Sequence, residues 1–321
     1  MDNKAHISLI NGLGDKMLDL IGFYVICKYL NYDPQVTVNG IIIHCQWGNG
    51  NYDIKLFNFD NITITEECKC DFFINVNYAA SELCPYKVYI FLKNILPEVT
   101  FEEISNSYIQ YSKEIIKPSE IILSKIPPHI ENAYGIHLRK TDKVKECLYS
   151  FNFGHENSIK EFEIIKYKLL EDVLSIILIE EEPTFLFVSE DDKWKNEITD
   201  EVKKMSFSVN KKIKIINLDY TTEINYNNYN SVLDMFCLSK CKEILQCVKY
   251  SSFSVVASLI GNNKIRNYTK FLPMYDVCLI YNWSSVIEIN NEKNLDVEFH
   301  RNKAVGIISN FHTNITSFYK S

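Results

Sequence analysis

Apolar positions along the chain follow two periods, and the change from one to the other marks out its elements. A short apolar run from His6 to Asn11 is closed by Gly12-Leu13-Gly14. Met17, Leu20, Ile21, Tyr24 and Val25 then recur at i, i+3, i+4, i+7 and i+8, the spacing of one helix face. Strand, glycine turn and helix are expected in that order. Gly40–Cys45, Phe72–Val76 and Lys87–Leu92 have the dense apolar content of further strands, and Phe101–Ile116 has the period of a longer helix. Paired prolines rarely lie inside a regular element, so Pro127-Pro128 sets a domain boundary near Pro127.

Beyond that boundary the alternation is regular. Strands are predicted at Tyr134–Leu138, Thr184–Val188, Ile213–Leu218 and Glu243–Val248. They alternate with helices at Ser158–Leu178, Asp192–Met205, Ser231–Cys241 and Ser254–Ile260. Largely apolar strands, each followed by a helix, imply a parallel sheet covered on both faces, a Rossmann-like domain with its ligands at the strand C-termini. The expected division is an N-terminal Rossmann-like domain over 1–127, a second over 128–280, and a segment over 281–321 that is free to pack back on the first.

Composition narrows the class. At 321 residues the chain fits about two domains. Its 46% apolar and 23% charged residues are ordinary for a globular protein, and no stretch approaches the roughly 18 apolar residues of a membrane span. A formal charge of −7 argues against a backbone-neutralising grip on nucleic acid. Residues 1–6 carry no apolar core ahead of a cleavage site, and a cytoplasmic protein is expected. Cys27, Cys237, Cys241, Cys247 and Cys278 sit in apolar stretches, as reduced cysteines used as small hydrophobes do. His44-Cys45 with Cys68-x-Cys70 lacks the paired spacing of a zinc site. Of the 34 basic residues only Arg139, Arg266 and Arg301 are arginine, which singles out an arginine inside a motif as a place where the planar two-pronged donor matters.

Three polar clusters lie where strands end. In His137-Leu138-Arg139-Lys140-Thr141-Asp142-Lys143, strand alternation sends His137 and Arg139 to one side. Arg139, Lys140 and Lys143 place three cations within five residues, suited to a diphosphate, although a solvated basic turn has the same composition. Ser189-Glu190-Asp191-Asp192 precedes a helix, where its acids fit capping best. The third cluster runs from Asp234 through Ser239 to Tyr250-Ser251-Ser252-Phe253-Ser254, whose hydroxyls and backbone N–H groups could hold phosphate.

Taken in order, Gly12-Leu13-Gly14-Asp15, His137 to Lys143, Val188 to Trp194, and Asp234 to Ser254 resemble the motifs of the fucosyltransferase superfamily of α1,2-, α1,6- and protein O-fucosyltransferases. The resemblance covers residues 12–16 and about 135–261. It implies a GT-B glycosyltransferase, two Rossmann-like domains facing across a cleft, which moves fucose from GDP-fucose to a glycan or glycoprotein hydroxyl with inversion and without metal or other cofactor. By position, it implies that His137 and Asp234 contact guanine or ribose, that Arg139 and Ser252 hold the β-phosphate, that Lys140, Ser251 and Phe253 also bind the donor, and that Gly12 and Gly14 let the N-terminal loop approach the diphosphate. Arg139 and Lys143 would then be catalytic cations. The place of the family's acid is held by Cys147, and the adjacent Glu146 is the candidate general base.

Three alternatives stay open on the residues. One is a GT-A transferase in which Glu190, Asp191 and Asp192 hold a divalent ion in place of a D-x-D triad. Another is a transferase using GDP-rhamnose or GDP-mannose. The last is a GDP- or glycan-binding module without turnover. Trp47, Tyr52 and Phe57 suit core packing as well as an acceptor-sugar platform.

Overall fold

The computed structural model describes residues 4–9, 12–37, 54–65, 72–74, 83–139, 155–220, 228–247, 251–268 and 287–289. In the N-terminal half these form β1 (Lys4–Ser8), α1 (Leu13–Leu30), β2 (Asp33–Thr37), β3 (Phe57–Phe59), β4 (Thr63–Thr65), β5 (Phe72–Ile74), α2 (Pro85–Ile95), α3 (Phe101–Ile115), β6 (Ile116–Pro118) and α4 (Glu120–Leu123). A parallel sheet runs β4-β2-β1-β5, and β3 pairs antiparallel with β6.

The C-terminal half contributes β7 (Ala133–Leu138), α5 (His155–Ile179), β8 (Thr184–Ser189), α6 (Asp192–Ser208), β9 (Lys214–Ile216), α7 (Tyr229–Lys240), β10 (Glu243–Cys247), α8 (Ser252–Gly261), β11 (Lys264–Asn267) and β12 (Ile287–Ile289). Its sheet is parallel throughout, in the order β12-β11-β10-β7-β8-β9. The βα alternation expected beyond Pro127 is present, and two parallel sheets match the two Rossmann-like halves. The described part of the C-terminal segment, β12, extends the second sheet rather than the first. The expected strand at 40–45 lies outside the described residues.

One element differs in type. Lys87–Leu92 belongs to helix α2, not to a strand. Its run of Val, Tyr, Ile and Phe reads as β, but Pro85 stands at the first helical position, where its fixed φ suits a helix and its missing N–H costs nothing. Val88 and Leu92, four apart, are both fully buried, so the period that packing uses is helical.

The halves share one core. Helix α1 is buried almost all round, as a helix flanked on every side must be, and packs on α2 and α3 of its own half and on α8 of the other. A continuous cluster therefore runs from Ala5 and Met17 through Tyr108 to Leu233, Val256 and Ile265. A second cluster on the opposite face of the large sheet joins Leu138, Phe187 and Leu245 to Phe162 and Val173 of α5 and to Trp194 and Ile198 of α6. Cys27, Cys237, Cys241 and Cys247 are buried free thiols, as expected; Cys278 lies outside the described residues.

Candidate functional site

In the large sheet the chain begins in the middle, at β7, and moves outward through β8 to β9 with α5 and α6 on one face. It then crosses back to β10, on the other side of β7, and continues with α7 and α8 on the opposite face. The direction of winding reverses between β7 and β10, and in sheets of this kind the usual ligand site lies at such a reversal, beyond the strand C-termini. Arg139 follows β7, and Ser251 and Ser252 follow β10. The small sheet reverses in the same way between β1 and β5, and Gly12 and Gly14 lie beyond the end of β1. Each half thus supplies one switch point to one place.

Contact between the two is direct. A Cβ on Gly14 would lie 2.3 Å from the backbone nitrogen of Phe253 and 2.6 Å from the carbonyl carbon of Ser252. Only a hydrogen at this position lets the first turns of α1 and α8 meet. Both helices begin here, Gly12 capping α1 and Ser251 capping α8, and a helix start presents N–H groups with no intrahelical acceptor together with the positive end of the macrodipole. Ser251 is 2% exposed, and its hydroxyl has no hydrogen-bond partner among the described residues. A buried, unpaired hydroxyl at a helix start normally has a ligand or water to satisfy it.

Arg139 follows β7, the strand next to β10. Its backbone N–H donates to the Cys247 carbonyl at 3.4 Å, carrying the β7–β10 pairing one residue past the strand. Its Nε lies 3.7 Å from a carboxylate oxygen of Glu190, a loose pair, with both side chains partly exposed. Two residues earlier His137 is buried, its Nδ1 2.5 Å from Ser254 Oγ and its ring 5.1 Å from that of Phe253. Lys140, Lys143 and Glu146 lie outside the described residues.

The acidic cluster after β8 is divided. Asp191 caps α6, accepting from the Trp194 N–H at 3.0 Å, the capping role expected for it. Asp192 is exposed and pairs with Lys195 at 2.9 Å, while Glu190 faces Arg139. These acids do not converge on one point, and among the described residues no three His, Cys, Asp or Glu side chains are grouped as metal ligands would be. His44, Cys45, Cys68 and Cys70 lie outside the described residues.

Asp234, on α7, sits farther along the same rim, near β8 and β9. Tyr220, in the segment after β9, donates to its Oδ1 at 2.8 Å, and Lys195 lies over the Tyr220 ring. Burial pushes the Asp234 carboxyl up to about 7, with Asp192 adding to the rise and the Tyr220 hydroxyl and Lys195 opposing it. Tyr220 and Lys195 were not foreseen. Neither sits in a motif, and only the return of the loop after β9 brings Tyr220 to α7. Ser254 was visible within Ser251-Ser252-Phe253-Ser254, but its inward direction depends on the helix starting at Ser252. Phe57 packs against Phe59 and Phe236 in the core and offers no sugar platform. Trp47 and Tyr52 lie outside the described residues.

No protein-family model matches the chain, and no curated protein matches it. Among solved structures it is similar to the α-1,6-fucosyltransferase NodZ soaked with GDP-fucose, at 10% identity and a TM-score of 0.46, over 80% of this chain and 92% of that one. NodZ from Bradyrhizobium gives 11% identity and the same TM-score over 81% and 93%. A single-residue mutant of Arabidopsis thaliana FUT1 in complex with GDP gives 12% and 0.48 over 82% and 70%. At this identity and TM-score the likeness assigns neither family nor activity, and the functional reading rests on the chain's own residues. Among the described residues no helix is long and apolar enough to cross a membrane.

Proposed function

We propose that the chain is a glycosyltransferase that takes fucose from GDP-fucose and transfers it, with inversion and without a metal, to a hydroxyl of a glycan or glycoprotein. One observation carries the reading: two winding reversals, one from each sheet, bring the starts of α1 and α8 into contact at Gly14 and Phe253, with Arg139 at the end of the neighbouring strand β7. That arrangement suits a dianionic diphosphate. Two helix starts supply N–H donors and favourable dipoles, Ser251 and Ser252 supply hydroxyls, and Arg139 supplies a paired donor. The choice of a GDP-linked sugar rests on the order of the motifs.

In this reading Arg139 is the electrostatic catalyst. As the bond from the anomeric carbon to the diphosphate breaks, negative charge grows on the leaving phosphate, and a guanidinium already in place stabilises that charge more than it stabilises the ground state. The helix starts act in the same direction. The acceptor hydroxyl gives up its proton to a carboxylate, the role assigned to Glu146. Lys140 and Lys143 would add positive charge along the same segment.

Calorimetric titration with GDP, and with UDP as control, in EDTA tests the reading. Micromolar binding of GDP over UDP is expected, followed by fucose transfer to a suitable hydroxyl. Binding only when Mn²⁺ is added would sink the metal-free mechanism, and tight GDP binding with no turnover on any acceptor would favour a binding module.

A further inference from the structure

We infer that His137 is a positioning residue: it ties the first turn of α8 to strand β7, so that the helix start and Arg139 meet one diphosphate in a fixed register. The inference rests on the diphosphate reading of the site. Its geometry is local and continuous. His137 Nδ1 lies 2.5 Å from Ser254 Oγ, and both side chains are buried, at 5% and 0% exposure. The imidazole also packs against the Phe253 ring, and the Phe253 backbone nitrogen is the atom that Gly14 must leave room for. One ring therefore holds α8, and α8 in turn abuts α1.

Arg139 lies two residues further along the same strand, and its backbone is fixed separately through the Cys247 carbonyl. The guanidinium and the helix start are carried by different elements, and nothing in local helix or strand geometry sets their separation. The His137–Ser254 bond sets it. A catalytic arrangement displaced by about 1 Å can lose on the order of 10²-fold in rate, so a buried bond between its two carriers matters even where it does not touch the ligand. Buried hydrogen bonds are also costly to leave half-made, which favours the closed arrangement before ligand arrives.

The test is a double-mutant cycle read by calorimetry with GDP and with inorganic pyrophosphate. His137→Phe keeps a ring against Phe253 and removes the bond, Ser254→Ala removes the partner, and His137→Asn puts an amide close to the position of Nδ1. His137→Phe and Ser254→Ala are each expected to weaken both ligands about tenfold, the double variant no more than the worse single, and His137→Asn to recover most of the loss. Wild-type affinity in Ser254→Ala beside a loss in His137→Phe would overturn the inference in favour of direct contact with the ligand. Unchanged affinity in both, with only a lower unfolding temperature, would overturn it in favour of a purely structural bond. A wild-type protein that binds neither GDP nor pyrophosphate would overturn the diphosphate reading itself, and this inference with it.

Discussion

The two edges of the large sheet treat charge in opposite ways. Along the side where its strands begin and across the face covered by α5, polar groups close on one another. Arg266 holds both oxygens of Glu243 at 2.5 and 3.1 Å and reaches Asp172 at 3.2 Å, and Tyr268 donates to the same Asp172 oxygen. Tyr134 donates to Glu180 at 2.6 Å, and Lys242 bonds both of them. Along the side where the strands end, the Arg139–Glu190 pair is loose at 3.7 Å, the buried Ser251 hydroxyl has no hydrogen-bond partner among the described residues, and Asp234 is buried as a carboxyl raised to about 7. One sheet with the same strands carries both edges. The first joins α5 to the sheet, whereas the second carries a loosely paired guanidinium and a buried acid at the strand ends, as expected where binding energy is reserved for a ligand.

Substitutions on the two edges should separate activity from stability. The largest effect is expected from Arg139→Ala: transfer falls on the order of 10²-fold or more, by analogy with loss of one oxyanion donor, while the unfolding temperature barely moves. A fall in stability with no change in rate would place Arg139 among the structural charges.

Asp234 gives the next largest effect, and in the opposite sense. An acid whose folded pKa lies above its unfolded value keeps an extra proton in the folded state between about pH 4 and 7. Stability therefore falls as pH rises through that window and levels off above it. Asp234→Asn keeps an acceptor for Tyr220 and removes the charge, so it should gain on the order of 2 kcal/mol at pH 8 and little at pH 4. Denaturant midpoints at the two pH values measure this, and a gain that is equal at both would remove Asp234 from the account.

On the closed edge, Arg266→Met should cost about 1–3 kcal/mol of stability, less than a fully buried pair because Arg266 is partly exposed, and should leave GDP affinity unchanged. Chemical denaturation alongside calorimetry checks both parts. A loss of GDP binding would mean that the two edges are coupled. The smallest effect belongs to Glu190→Gln. Releasing Arg139 from a loose, partly exposed pair should change GDP affinity by less than about 1 kcal/mol, in the direction of tighter binding. Weaker binding would give Glu190 a role in holding the ligand.

The C-terminal half was more legible than the N-terminal half, for a physical reason. Strands such as Thr184–Ser189, buried on both faces, must be apolar throughout, and the helices between them must show a stripe, so each leaves a period in the sequence. The N-terminal half hides its elements. Strands β3, β4 and β6 span three residues each, too few for any period, and β2 contains Pro34, a residue that argues against a strand. Helix α2 is rich in β-branched and aromatic residues and is helical because the core takes up Val88 and Leu92 together.

The site divides along the same line. Arg139, Gly14 and Ser251 stand next to strand ends and helix starts, positions that short local motifs mark in the sequence, and the diphosphate role proposed for them is chemistry of that local kind. The capping role of Asp191 was readable for the same reason. The pairing of His137 with Ser254, 117 residues apart, the return of Tyr220 onto Asp234, and the approach of α1 to α8 at Gly14 were decided only by tertiary structure. Sequence by itself determined which segments alternate as strand and helix and which chemical groups stand at their ends. The order of strands across each sheet, and therefore which ends become neighbours, depends on how the faces pack together, and that is a property of the whole chain.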